Sequence, residues 1–176
     1  KEAGITPRVT ETAKGFWVIY IVLTAVCTMA YGLNGMNWLD ALMHAFSTVS
    51  LGGFSSHDAS FGFFDSPVLE AITIGFALMS GISYVTHFAA LSGRSLRPYR
   101  RDGEVPFYLG VLGTSVLLVA TYLWQQDYYA EFATALRHAA FNTVSVATTL
   151  GYASTDYSKW PFFAPLWMLF LCSFVT

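Results

Sequence analysis

ALMHAFSTVSLGGFSS, from Ala41 to Ser56, returns as ALRHAAFNTVSVATTLGYAS, from Ala135 to Ser154, and each copy lies between two apolar runs. Self-similarity of this kind means that a fold is assembled from copies of one supersecondary unit. The unit reads as apolar span, short amphipathic helix, Thr/Ser/Gly loop, apolar span. The chain accordingly divides into a first repeat over 1–92 and a second over 93–176, the second cut short in its last span.

Composition places these units in a membrane. Hydrophobic residues make up 55% of the chain and charged residues 11%, against roughly 45–50% and about 25% in ordinary soluble domains. Gly15 to Leu39 and Val105 to Gln126 carry no charge, and Ala71 to Gly93 has only His87 as a titratable group. Runs of that length can cross a hydrocarbon core of about 30 Å as helices. Four spanning helices are expected, at 16–33, 68–92, 105–125 and from 161 onward. Pro67, Pro106 and Pro161 stand at or near the starts of the last three, where a missing N–H costs little. Lys1 in place of an initiator methionine, and a last span that runs off the end, read as a fragment of a longer polypeptide. Phe16 to Leu33 reads as a retained span rather than a cleaved signal.

Lys1, Arg8 and Lys14 precede the first span, and Arg94, Arg97, Arg100 and Arg101 crowd the loop after the second. Lys/Arg excess marks cytoplasmic loops, so residues 1–15 and 93–105 are expected inside, in a multi-pass protein of the cell inner membrane. The two repeated loops then face outside. A net charge of −2 with no extended basic surface argues against a nucleic-acid partner. Cys27 and Cys172 sit in apolar spans without CxxC spacing and read as buried reduced thiols.

Trp38 to about Ser50, and Ala130 to about Val146, are too short to cross a bilayer and read as re-entrant half-helices. Non-helical backbone at membrane depth survives only when buried in protein or lining a watery cavity, so the loops that follow should line one. Glycine there lets backbone carbonyls turn toward one axis. A row of such oxygens can replace an ion's hydration shell, as in filters of the TVGYG type, which Thr149, Leu150, Gly151 and Tyr152 approach. The preceding half-helix would point its negative dipole end at the same place.

HAFSTVSLGGFSSHD followed by FNTVSVATTLGYASTDYSKWP resembles the Trk/Ktr/HKT potassium-uptake superfamily, closest to its bacterial Trk H-type subunits. The resemblance covers nearly the whole chain and implies an all-α membrane protein built from helix, re-entrant pore helix, helix repeats of the potassium-channel type. The family has four such repeats around one pore, and this chain looks like the second and third. The resemblance implies a selectivity filter formed by Ser50, Leu51, Gly52, Gly53 and Phe54 with Thr148, Thr149, Leu150, Gly151 and Tyr152. Gly53 and Gly151 match the key glycines. Potassium would be held by backbone carbonyls of Leu51, Gly52, Thr149 and Leu150. It further implies potassium as the transported ion, no prosthetic group and no enzymatic chemistry, with lipid around the protein. A homodimer and a cytosolic nucleotide-binding regulatory subunit are implied too, the latter touching Arg94 to Arg101. Neither loop has the second glycine of TVGYG, since Ser55 and Ala153 stand there. The gating loop of the family lies outside the chain. Symporter and channel both remain open.

The two copies disagree in register. His44 to His138 is a shift of 94, and Gly53 to Gly151 one of 98. The four-residue difference is about one helical turn. Because filter geometry anchors the glycines, the second pore helix is expected to be one turn longer. Two other readings compete. A tandem-pore cation channel would need only two repeats per chain. A haem-binding electron-transfer subunit would use His44, His87 and His138, which otherwise read as packed or hydrogen-bonded side chains. Asp58, Asp65 and Asp156 read as solvated loop acids or helix caps, or as carboxylates that concentrate cations. Trp38, Trp124, Tyr128, Tyr129 and Trp160 read as interfacial aromatics.

Overall fold

The computed structural model describes residues 5–175, with side chains from 10 to 173. Lys1, the side chain of Arg8, and Thr176 lie outside the described residues. The chain is helical in the order expected. Helix α1 (Ile5–Leu33) is followed by the half-helix α2 (Trp38–Val49), then α3 (Pro67–Ser80), α4 (Tyr84–Gly93) and a short α5 (Arg97–Arg101). The unit then repeats as α6 (Glu104–Gln125), half-helix α7 (Phe132–Ala147) and α8 (Phe163–Val175), with one-turn 3-10 segments at Ser60–Phe63 and Tyr157–Lys159. By length and composition α1 and α6 can each cross a bilayer. The apolar faces they leave exposed, such as Trp17, Ile21, Val22 and Met29 on α1 and Leu117 on α6, suit hydrocarbon rather than water.

Local chemistry sets the boundaries. The Asn37 side chain accepts from Leu39 N to start α2, and Ser66, just before Pro67, accepts from Leu69 N to start α3. α7 has 16 residues against 12 in α2. The extra turn expected from the glycine register is therefore present.

The expected span at 68–92 is not one helix. It breaks at Gly81–Ser83 and bends by 88° between α3 and α4. Ser83 begins a new helix by accepting from Val85 N. The break frees carbonyls at the end of α3, and in an apolar setting they need donors. His87 Nε2 lies 2.8 Å from the Met79 carbonyl, and Tyr108 Oη reaches the Leu78 carbonyl at 3.5 Å. A carbonyl can only accept, so His87 Nε2 donates to it, and Nδ1 shares a hydrogen bond with Tyr99 Oη at 2.7 Å. His87 thus ties α4 and α5 back to the end of α3.

One buried core runs through both copies, from Cys27 and Tyr31 on α1 through Ala41, Ala45 and Val49 on α2 to Phe141, Val144 and Tyr152. Tyr31 Oη shares hydrogen bonds with Thr48 at 2.9 Å and Thr73 at 2.8 Å, joining α1, α2 and α3. A second cluster packs α6, α7 and α8 around Val119, Ala135, Ala139 and Met168. Trp160 is buried there and donates to Tyr129 Oη, whereas Trp38 and Trp124 are exposed as interfacial aromatics should be. Both cysteines are unbridged.

The copies are also clamped by charge. Arg137 on α7 donates to both oxygens of Glu70 on α3, at 2.9 Å each, and to Asp65 at 2.8 Å. Glu70 is 2% exposed, whereas the Arg137 and Asp65 side chains keep contact with solvent. Arg137→Ala therefore strands a buried carboxylate and should destabilise the protein by about 3–5 kcal/mol. Glu70→Ala, which leaves Asp65 to partner the guanidinium, should cost less. Thermal unfolding of detergent-purified protein ranks the two, and equal losses would contradict the ranking.

Candidate functional site

The two repeated loops leave their half-helices by the same path. Ser50 and Thr148 cap the helices, with φ of −84° and −86°. Leu51 and Thr149 then enter the left-handed region at φ 54° and 60°, and Gly53 and Gly151 follow at 69° and 81°. Gly52 and Leu150, between them, do not have positive φ. The sign of φ therefore alternates residue by residue in both loops. Glycine accounts for half of this. Leu51 and Thr149 adopt a conformation that costs a residue with a Cβ about 1–2 kcal/mol, and such strain persists only where surroundings impose it.

Those surroundings are hydrogen bonds from the half-helices. Ser47 Oγ accepts from Phe54 N at 2.6 Å, and Ser145 Oγ, its counterpart at a shift of 98, donates to the Tyr152 carbonyl at 2.7 Å. Gly52 N bonds to the Ser47 carbonyl, and Gly151 N to the Ser145 carbonyl. Behind the first loop the His44 ring is fully buried, with Nδ1 on the Asp40 carbonyl at 2.8 Å and Nε2 on Ser55 Oγ at 2.9 Å. Asn142 does the equivalent in the second copy, donating to the His138 carbonyl at 2.8 Å and to Ser154 Oγ at 2.9 Å. Asn142, not His138, is thus the structural partner of His44. His138 sits a turn earlier, stacked on Tyr129, and binds Ser154 through Nδ1 at 3.0 Å.

The loops also meet each other. A Cβ added at Gly53 would overlap the Leu150 carbonyl oxygen and come within 3.4 Å of Gly151 Cα, whereas one added at Gly151 meets open space. Tyr152 Oη donates to the Phe54 carbonyl at 3.0 Å. The segment after the first loop braces the second, Ser60 Oγ accepting from Ala153 N at 3.2 Å and Gly62 N donating to the Ala153 carbonyl at 3.1 Å. All ten residues singled out in sequence thus fall in two adjoining loops. Ser50, Gly52 and Phe54 are exposed in the first, and Thr149 and Gly151 in the second.

Several side chains escaped the sequence reading. Ser47, Ser145, Asn142 and Ser154 hold the loops from behind, and Glu70 fixes Arg137. The acids near the loops have local partners. Asp40 accepts from Ser56 Oγ at 2.7 Å and faces His57 Nε2 at 3.3 Å. Ser56 first, and then His57, hold the Asp40 carboxyl below the ordinary carboxylate range. Asp65 bonds Arg137, and Ser66 rather than Asp65 caps α3. Ser158 and Lys159 lower Asp156 in the same way. Asp58 is exposed. Both ring nitrogens of His44 and of His87 are engaged within the protein. Among the described residues no group of three or more His, Cys, Asp or Glu is arranged to hold a metal ion.

Residues 1–175 match the family model described as TrkH, cation transport protein. The chain is 46% identical over 175 residues to the Trk system potassium uptake protein TrkH of Halomonas elongata, covering 99% of this chain and 36% of that protein. It is 43% identical to the TrkH of Escherichia coli strain K12, covering 98% and 35%. The crystal structure of the potassium transporter TrkH from Vibrio parahaemolyticus superposes with a TM-score of 0.90 at 40% identity, over 96% of this chain and 36% of that one. The chain thus spans about a third of the length of these relatives.

The His44 and Asn142 equivalence is testable. His44→Ala leaves the Ser55 hydroxyl and the Asp40 carbonyl without that partner and should cost about 1–3 kcal/mol. His44→Asn, which restores a donor to the Asp40 carbonyl, should cost distinctly less. Unfolding midpoints of the two variants decide it, and equal losses would mean that only the ring volume matters.

Proposed function

The chain belongs to the TrkH family of cation transport proteins, and from that premise we propose that it forms two of the repeats lining a potassium-uptake pathway. Its two glycine loops serve as parts of a carbonyl-lined selectivity filter. The observation that carries this reading is the alternating sign of φ from Ser50 to Gly53 and from Thr148 to Gly151. In an ordinary strand successive carbonyls point to opposite sides. Residues whose φ alternates in sign rotate each peptide plane relative to the last, which turns successive carbonyls toward one side. A series of oxygens on one side can replace the hydration shell of a cation.

Three further features support it. The strained Leu51 and Thr149 are what a site retains when its geometry matters more than its stability. The half-helices α2 and α7 end at the loops, so their partially negative ends favour a cation there. The close approach of Gly53 to Leu150 suits two loops that share one axis. In this reading the carbonyls of Leu51, Gly52, Thr149 and Leu150 coordinate potassium, and Ser50, Gly53, Phe54, Thr148, Gly151 and Tyr152 complete the filter.

The repeats divide at 92/93, with residues 1–15 and 93–105 on the cytoplasmic side of the inner membrane and the loops facing out. The arginines of α5 and its flanks (Arg94, Arg97, Arg100 and Arg101) lie where a cytosolic nucleotide-binding subunit would dock, and the whole protein works as a homodimer.

Radioactive rubidium uptake into vesicles carrying the whole transport protein, with potassium or sodium as competitor, tests the reading. Gly53→Ala should lower uptake at least tenfold or let sodium compete as well as potassium, because the new methyl overlaps the Leu150 carbonyl. Gly151→Ala should act in the same direction through its positive φ, which costs a residue with a Cβ about 1–2 kcal/mol. Normal uptake and normal ion preference in both variants, at normal membrane levels, would refute the filter assignment.

A further inference from the structure

Tyr152 follows the glycine of the second loop, yet its side chain leaves that loop. The ring is fully buried, 5.6 Å from His44 and 4.8 Å from Phe61. Its hydroxyl ends in the other repeat, donating to the Phe54 carbonyl at 3.0 Å, with the His44 carbonyl a longer second acceptor at 3.4 Å. Phe54, the corresponding residue of the first loop, has no hydroxyl and is 81% exposed. The link between the loops therefore runs in one direction, from the second repeat to the first.

A peptide plane in a short glycine-containing loop can rotate, and its carbonyl moves with it. Phe54 N is already held by Ser47 Oγ, so a donor on the Phe54 carbonyl restrains the loop at the next peptide group as well. Potassium and sodium differ mainly in how closely oxygens must approach them. A filter whose loops can close in by a few tenths of an ångström discriminates less well. Removing the Tyr152 hydroxyl would free the first loop to close in. The ring cannot drift away from the carbonyl, because His44, Phe61 and the rest of the shared core enclose it.

We propose that Tyr152 is a positioning residue for ion specificity: its hydroxyl, by holding the Phe54 carbonyl of the neighbouring repeat, sets the preference for potassium over sodium. The inference rests on the filter reading above and deepens it. Tyr31 supplies the control. It too is fully buried, and its hydroxyl joins Thr48 and Thr73 without touching a loop carbonyl.

Tyr152→Phe, Tyr31→Phe and Gly53→Ala are compared in the whole transport protein by rubidium uptake, normalised to inserted protein, against potassium and against sodium. In Tyr152→Phe the ratio of sodium to potassium inhibition should rise roughly two- to tenfold, the range that loss of one hydrogen bond spans. In Tyr31→Phe the unfolding midpoint should fall with the ratio unchanged. An unchanged ratio in Tyr152→Phe alongside an altered Gly53→Ala would overturn this inference and leave the filter standing. Unchanged behaviour in both would overturn the two together. An equal shift in Tyr31→Phe and Tyr152→Phe would mean general softening of the core, which also overturns it.

Discussion

Backbone polar groups have no water to turn to inside a bilayer, and the departures from helix at the two loops and at the α3–α4 break are organised around that fact. Two half-helices stop partway, and a third helix breaks. At each place freed main-chain groups are taken up by side chains of the half-helices or of other helices packed nearby. Ser47 and Ser145 take groups of the aromatic residues in the loops, His44 and Asn142 bind the serines beyond them, and His87 and Tyr108 take carbonyls of the broken α3. Left-handed Leu51 and Thr149 are tolerable only because this bracing is already in place.

The same constraint explains how the repeats are joined. A polar link between them must be complete or it costs more than it contributes. The Arg137 clamp meets that condition, since its guanidinium fills both oxygens of the buried Glu70 and keeps Asp65 at its solvent edge. Around it Phe61 packs on Phe141 and Tyr152, and the segment after the first loop bonds the backbone of the other repeat at Ala153. The loops are thus set against each other from outside by charge and from behind by aromatic packing.

Much of this architecture was legible in the sequence, because charge-free runs and a duplicated motif report directly on bilayer crossing and repetition. The half-helices, the loop glycines and the longer second half-helix followed from those signals alone. The break in the second span did not, although its marks were present. Gly81 followed by Ser83 is a helix stop and a helix start two residues apart, hidden inside a run judged only by its lack of charge. Glu70 was passed over because an acid at the head of an apolar run reads as a boundary, and only the tertiary fold places Arg137 beside it.

Register is the subtler matter, and its cause lies in the helix period. The letters FSTVS and FNTVS align His44 near His138, but the second half-helix has gained a turn, so matching letters occupy different levels above the loop. Function at each level is kept by whichever residue stands there. Histidine in one copy and asparagine in the other both span from the carbonyl four residues back to a serine beyond the loop. Two repeats of one chain need only agree in the backbone they present. Their supports can diverge, and once they do, a hydroxyl such as that of Tyr152 can serve the neighbouring loop rather than its own.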